Sequence, residues 1–587
     1  MREAPSEGDA GGWWRGHLST SALATATASW ALRQGGGIGD EPLVRGGMDW
    51  LLAHQNPDGG WGDTPESPSN IAATMLSWCA VHDYPPAAGA VRRCESWLCA
   101  RAGSLEARDL CAALERRYGH DRTFAAPILS MCAQSGRLGS APAAWRHVAP
   151  LPFELAACPH GWLSAARLPV VSYALPALIA VGLARHVAAK PLCPVKRALR
   201  ALTRRAALAK LAAIQPEGGG FLEATPLTSF VVMNLIAAGE TASPPASGVA
   251  DRGLAFLRRS VRQDGGWPID TDLRTWVTTL AVRALERGPD DLARLQAGDR
   301  AALRDWLLRQ QWTLEHPYTH AAAGGWAWTS LPGGVSDADD TASALLALRA
   351  FGAPETDVLR AAAAGVQWLA GLQNRDGGVP TFCRGWGRLD FDRSAPELTA
   401  HAVAAWSAWR DQFDSGAAAR LGRALERALA YLRRAQRGDG SFVPLWFGNQ
   451  LAQDEANPVF GTSRVVSLLA GAQLGHSATG MIVRGGLYLL GAQGPQGGWG
   501  GERGIEPSIE ETSAAVEALA AVQEMGQGEA IGAALRRGVG WLLEATGDGT
   551  KFACSPIGLY FAKLWYWERL YPVVLATGAL RRAAGVI

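Results

Sequence analysis

The chain has 587 residues, 48% hydrophobic and 19% charged, which supplies ample core and excludes both a small disulfide-stapled scaffold and global disorder. Lys and Arg total 56 against 54 Asp and Glu, a net of +2, so no overall field gathers nucleic acid. Glycine, at 69 residues, makes up about 12% of the chain where about 7% is ordinary, and with 24 tryptophans this points to a repeated motif.

In chain order, the opening MREAPSEGDAGG lacks a basic start followed by an apolar stretch, so no signal peptide is expected and a cytosolic face is the default. An amphipathic helix, VRGGMDWLLAHQ, then runs into the turn QNPDGGW at Gln55 to Trp61. The same phrase returns as QPEGGGF (Gln215 to Phe221), QNRDGGV (Gln373 to Val379), QRGDGSF (Gln436 to Phe442) and QGPQGGW (Gln493 to Trp499). A sixth copy ending at Trp267 keeps the turn but has Val261 in place of the leading Gln. After each turn comes a polar start and an Ala/Leu/Val-rich helix, such as SNIAATMLSWCAV, RTWVTTLAVRAL, DADDTASALLAL, ELTAHAVAAW, GTSRVVSLLAG and EETSAAVEAL. The unit is helix, Gly turn, helix, with the second helix apolar nearly all round and therefore internal. The Gln is expected to cap a neighbouring backbone and the Trp to pack on the adjacent repeat.

Such pairs bury their apolar faces only against neighbours, so a closed ring follows: the fold class is all-α, an α/α toroid with inner and outer helices. The starts of the inner helices then surround one mouth. The longest uncharged run, 17 residues between Arg167 and Arg185, holds two prolines and falls short of the roughly 20 a spanning helix needs. It reads as a buried core helix or as a monotopic patch dipping into one leaflet. The nine cysteines are odd in number and scattered, with no CxxC, so they suggest neither a disulfide frame nor a zinc site.

One inner helix opens with VSDADDTASALLAL, which places Asp337, Asp339 and Asp340 at its head. Helix capping accounts for one acid but not for three. Three carboxyls in four residues repel one another, so at least one should hold its proton and be available as a general acid. Clustered acids also suit Mg2+, and an overgrown cap is the third reading.

SDADDTA, the QxxxGxW turns and the toroid resemble the squalene-hopene cyclase family of class II terpene cyclases over nearly the whole chain. The resemblance implies that Asp339 is the proton donor starting carbocation cyclisation, with Asp337 and Asp340 as its flanking partners. It implies that His401, in APELTAHAVAAW, holds the donor, with Glu397 one turn earlier orienting the imidazole. Trp276, Trp328, Phe382, Trp446, Phe460 and Tyr560 fall at or near positions that line the family's cavity and stabilise cations. The chain departs from the family at Phe460, where a tyrosine is usual, at Pro556 in place of an aromatic, at Leu564 in place of a tyrosine and at Ala165 in place of a Trp. The segment WFGNQLAQDEANPVFGT is longer than its counterpart, and the chain is some tens of residues shorter than typical relatives.

The resemblance also implies two α-barrels, one of residues 1–34 plus 271–587 carrying the acid motif and one inserted over 35–270, with the cavity between them. It further implies a squalene-like polyprene substrate, peripheral monotopic attachment to the cytoplasmic face of a membrane and no cofactor; a homodimer is the assembly to test. Three alternatives stay open. In the first, a class II cyclase takes a prenyl diphosphate, which needs Lys/Arg and usually Mg2+. In the second, a prenyltransferase β-like subunit uses a zinc set for which the only Asp-x-Cys is Asp109 to Cys111. The third is a non-catalytic terpenoid-binding toroid.

Overall fold

Helices whose residues are apolar on every side pack inside helices with a single apolar stripe, and this difference orders the fold. The computed structural model describes residues 13–119, 122–287, 291–472, 474–526 and 528–587. Residues 1–12, where no signal peptide is expected, lie outside the described residues. Five inner helices form the first ring: α1 (Ala22–Gly35), α2 (Ile71–Val81), α3 (Arg122–Gln134), α4 (Val170–Ala188) and α5 (Thr225–Ala237). Each packs on the next and α5 returns to α1. All of α2 is buried. The outer helices Glu41–Ala53, Ala88–Ala102, Ala107–Tyr118, Pro194–Ile214 and Ala246–Ser260 surround them.

The second ring has six inner helices: α6 (Arg274–Glu286), α7 (Ala338–Ala350), α8 (Pro396–Trp409), α9 (Pro458–Gly471), α10 (Ile509–Glu524) and α11 (Leu570–Ala584). Contacts run from α6 through α11 and back to α6, which closes the ring.

The turns carry the hydrogen bonds that join each unit to the next. Gln55 Nε2 donates to the carbonyls of Gly59 at 2.8 Å and Ala90 at 2.9 Å, the second on the following outer helix. Gln215, Gln373, Gln436 and Gln493 repeat this pattern. The Trp61 indole donates to Leu51 O at 2.8 Å, and its amide donates to Thr74 Oγ1 on the inner helix. Gly59 has φ +92°, and a Cβ there would lie 2.7 Å from the Arg93 carbonyl, so glycine is required. A further copy escaped the sequence search because an insertion separates its halves: Gln311 bonds Gly324 O and Ala361 O, and the Trp326 indole bonds Leu307 O.

The expected boundary at residue 34 is corrected. Helix α1 belongs to the first ring, where it packs on α2, α5 and Glu41–Ala53. The Trp267 amide donates to Thr25 Oγ1 on α1, so the Trp267 turn closes this ring. Among the described residues, 13–19 run along the second ring. Trp13 stacks on Trp306 with centroids 5.6 Å apart, Trp14 N donates to Thr278 Oγ1, and Leu18 bridges Glu568.

Candidate active site

The head of α7 divides its three acids by what each one touches. Asp337 is the N-cap, with extended backbone, and its carboxyl accepts the Asp340 amide at 2.9 Å. Asp337 and Asp340 are sealed, at 4% and 5% exposed. Burial pushes Asp337 up to about 7. Burial, then the neighbouring Asp337, drives Asp340 well above the ordinary range.

Asp339 differs from both. Its Oδ1 meets His401 Nδ1 at 2.5 Å, and 18% of its side-chain surface stays open against 4% for His401. Burial raises the Asp339 carboxyl, but the charge and hydrogen bond of His401, aided by Arg464, hold it below its usual value. Burial, aided by the charges of Arg464 and Arg283, holds the His401 imidazole below its usual value despite the charge and hydrogen bond of Asp339. The triplet therefore does not converge on one point as a metal set would, because Asp337 is spent on a backbone amide and Asp339 on an imidazole. A carboxyl held low gives up a proton readily once it carries one.

Glu397, the second residue of α8, does not hydrogen-bond His401. Its Oε1 accepts the Leu445 amide at 2.6 Å, and Oε2 is buried without a partner. Burial pushes it up to about 7. Its expected orienting contact with the ring is absent because the chain at 445 folds over it first.

Hydrogen bonds tie the aromatic residues to the acid's helix. The Ala338 amide donates to Thr381 O at 2.9 Å, and Thr381 Oγ1 accepts the Trp446 indole at 3.0 Å. This places Phe382 and Trp446 beside α7. Phe382 meets Trp328, Trp446 and Phe391 at 6.4, 6.1 and 5.0 Å, and Trp446 meets Phe561 at 4.8 Å. Tyr173 from the first ring packs on Phe382 at 5.2 Å, so this wall bridges the rings. A second aromatic group gathers at the heads of α6, α9 and α11. There the Trp276 indole donates to Tyr571 Oη at 3.1 Å, Tyr571 pairs with Tyr566 Oη at 2.9 Å, and Phe460 packs on Phe447 at 4.8 Å.

Tyr560 is corrected: it stands off the wall, with Lys563 over its ring at 4.3 Å and its hydroxyl on Asp454 O at 3.3 Å. Phe561 takes the wall position instead. Leu559 and Lys563, at φ +58° and +50°, flank the 3-10 turn Tyr560–Ala562 that carries both side chains. Phe391, Phe447, Phe561, Tyr173, Tyr566 and Tyr571 escaped sequence reasoning because most sit on loops or terminal turns without period. Asp109 and Cys111 lie on an outer helix of the first ring, away from any inner-helix head, and Asp109 accepts the Ser104 hydroxyl at 2.6 Å.

Two helical rings with an acid–imidazole pair at an inner-helix mouth, flanked by aromatic walls, define a toroid with an acid-bearing site. The chain belongs to the squalene-hopene cyclase family, and with it to the class II terpene cyclases: the model of the squalene-hopene cyclase C-terminal domain matches residues 273–582, more than half of it. The prenyltransferase alpha-alpha toroid domain matches residues 22–105. Among curated relatives, a drimenyl diphosphate synthase of Streptantibioticus cattleyicolor is 32% identical over 291 residues, 47% of this chain and 48% of that protein. A probable squalene–hopene cyclase of Sinorhizobium fredii is 27% identical over 303 residues, 46% of this chain and 43% of that protein. The chain thus spans less than half the length of these relatives. The fold is similar to that of ent-copalyl diphosphate synthase from Streptomyces platensis, at TM-score 0.58 and 20% identity over 97% of this chain and 96% of that one.

Proposed function

We propose that the protein is a class II cyclase that protonates a terminal alkene of squalene or a similar long polyprene and thereby starts polycyclisation. One observation carries the reading: Asp339 alone of the triplet keeps open surface, and it does so while hydrogen-bonded to His401 at a ring mouth beside an aromatic wall. Asp339 gives up its proton, and the imidazole stabilises the carboxylate that remains. The nascent cation has no lone pair to quiet it. Faces such as Trp328, Phe382, Trp446, Trp276 and Phe460 supply about 0.5–2 kcal/mol each and exclude water that would quench it.

A second reading keeps the acid and takes a prenyl diphosphate. The wall continues from Phe561 through Phe124 to Tyr118, at 6.2 and 5.9 Å. Beyond Tyr118 lies a cleft of about 540 Å³ holding Arg101, Arg116, Arg117 and Lys563 with Asp454 and Glu455. The last two residues come from the long 446–462 segment. Arg117 and Lys563 pair with Glu455 at 3.2 and 3.0 Å, so a phosphate group would compete with that carboxylate for both.

The bilayer is the proposed source of a polyprene. Helix α4, the apolar run considered for the membrane, is two-thirds buried as an inner helix. The surface proposed to meet the membrane lies instead on the helix Pro194–Ile214, where Val195, Leu199 and Leu202 stand exposed on one face, with Leu192 exposed just before it. Incubation with squalene and with geranylgeranyl diphosphate, each with and without chelator, separates the substrates and shows whether Mg2+ accompanies the head group. Cyclisation of either supports the acid; cyclisation of neither removes it.

A further inference from the structure

The long segment before α9 is built as a strap over the basic cleft. Its two ends are fastened to one atom: Asn449 Nδ2 and Asn457 Nδ2 each donate to Glu511 Oε1 at 3.0 Å. Asn457 also caps α9 by accepting the Phe460 amide at 3.0 Å, which fixes that end further. Between the ends lies only a short 3-10 turn, Gln453–Glu455, beside Leu451, which is 62% exposed. Such a segment can move at its tip while its ends stay in place.

The tip is strained. Asp454 and Glu455 stand at φ +56° and +59°, two consecutive left-handed residues of which neither is glycine. Charge holds them there. Glu455 Oε1 accepts from Arg117 at 3.2 Å and Oε2 lies 3.0 Å from Lys563 Nζ, so each oxygen has its own cation. Lys563 Nζ and the Tyr560 hydroxyl also donate to Asp454 O, at 2.9 and 3.3 Å.

The cleft has more positive charge than this carboxylate uses. Arg101 and Arg116 are exposed there and form no ion pair among the described residues, and Arg117 Nε is buried without a partner. Helix α2 begins on the same wall, at Ser69, Asn70 and Ile71, and its N-terminus adds the positive end of a helix dipole. A plain staple between the rings would need Arg117 and Glu455 alone. It would need neither the strained tip nor the spare cations.

We propose that Glu455 is a built-in stand-in for a diphosphate head group and that the strap 449–457 is an autoinhibitory latch. An incoming prenyl diphosphate displaces Glu455 from Arg117 and Lys563, and the tip relaxes away while Glu511 keeps both ends in place. The inference rests on the second reading, in which the cleft takes a phosphate group. The aromatic wall from Phe561 through Phe124 to Tyr118 leads into the cleft, so the ligand that fits carries an apolar chain on its diphosphate. Displacement gives up the two ion pairs of Glu455 and replaces both, with Arg101 and Arg116 added. A neutral polyprene offers these cations nothing and leaves the latch shut.

Binding is measured by calorimetry on the full chain at low ionic strength, because salt screens such pairs. Burial pushes Asp63, which accepts the Asn70 side chain behind the α2 cap, up to about 7. At about pH 6 it therefore does not oppose an anion. With inorganic diphosphate as probe, Glu455→Gln should bind about tenfold tighter than wild type, and adding Arg117→Met should abolish the gain. Equal binding by wild type and Glu455→Gln overturns the latch and leaves the cleft reading standing. Binding by neither overturns the cleft reading, and the latch with it. A gain that survives Arg117→Met places the ion elsewhere and overturns both.

Two further arms read the ligand and the motion. In the Asp339→Asn background, where substrate is held without cyclising, geranylgeranyl diphosphate should bind more than about tenfold tighter than inorganic diphosphate. Equal affinity assigns the cleft to the free ion and overturns the head-group assignment. The amides of Ala452, Glu455 and Ala456, which are bonded within the strap, should exchange hydrogen about tenfold faster with diphosphate bound. Unchanged or slower exchange overturns the latch.

Discussion

The two rings are built by one repeat and differ where their inner helices begin. In the first ring, the caps Ser21 and Asn70 accept the amides of Ala24 and Ala73, and the residues between are apolar: Ala22, Leu23, Ile71 and Ala72. In the second, Asp337 and Ser508 make the same caps, but the residues behind them are Asp339, Asp340, Glu510 and Glu511. The turn indoles are equivalent as well, since Trp61 and Trp499 each donate to a leucine carbonyl at 2.8 Å. The difference teaches that the scaffold needs the cap and the turn only, and that the acids behind the cap are free to carry chemistry.

The largest expected effect comes from erasing that difference at one atom. Asp339→Asn keeps shape and helix and should lower cyclisation by about 10³-fold or more, with circular dichroism unchanged. Next, His401→Phe should slow the first step by about 10²-fold. If it alters only product ratios, His401 is a cavity wall and no proton partner.

Smaller effects probe the shared scaffold. Trp61→Phe and Trp499→Phe each remove the indole bond to a buried leucine carbonyl and should cost about 1–3 kcal/mol in denaturant melts, alike in both rings. A marked inequality would show that the rings are not equivalent frames.

The charged heads should also give the protein a pH signature. Burial holds Asp337, Glu397 and Glu511 near 7 and Glu510 near 8. The fold therefore keeps protons that the unfolded chain, titrating near 4, has released. This stability is complete below about pH 4 and is lost as pH rises through 7 to 8, so Tm should fall between pH 5.5 and 8.5. Cyclisation should likewise rise toward acid pH, because Asp339 is held low and its protonated fraction grows as pH falls. A Tm that climbs with pH would contradict these heads being neutral in the fold.

Sequence legibility followed the range of the forces involved. The turns could be read because Gln, Gly and Trp act within seven residues, and the copy from Gln311 to Trp326 was lost when an insertion broke that spacing. The inner character of α1 is plain in ALATATASWAL, but the ring it closes depends on Trp267, more than two hundred residues on. Asp339 and His401 were legible through SDADDTA and AHAV. Glu397 was misplaced because the loop at Leu445 claims it, and Tyr560 because left-handed residues turn Phe561 inward in its stead. Arg464 left a signal, the one charge inside α9, whose place beside residues of the other inner helices appears only when six helices close around it.

The most direct test is turnover in D2O. The account predicts that wild type delivers one deuterium to the carbon of the protonated alkene in the cyclised product, and that Asp339→Asn yields no such product. Cyclised product without deuterium at that carbon, or wild-type-like cyclisation by Asp339→Asn, would contradict it.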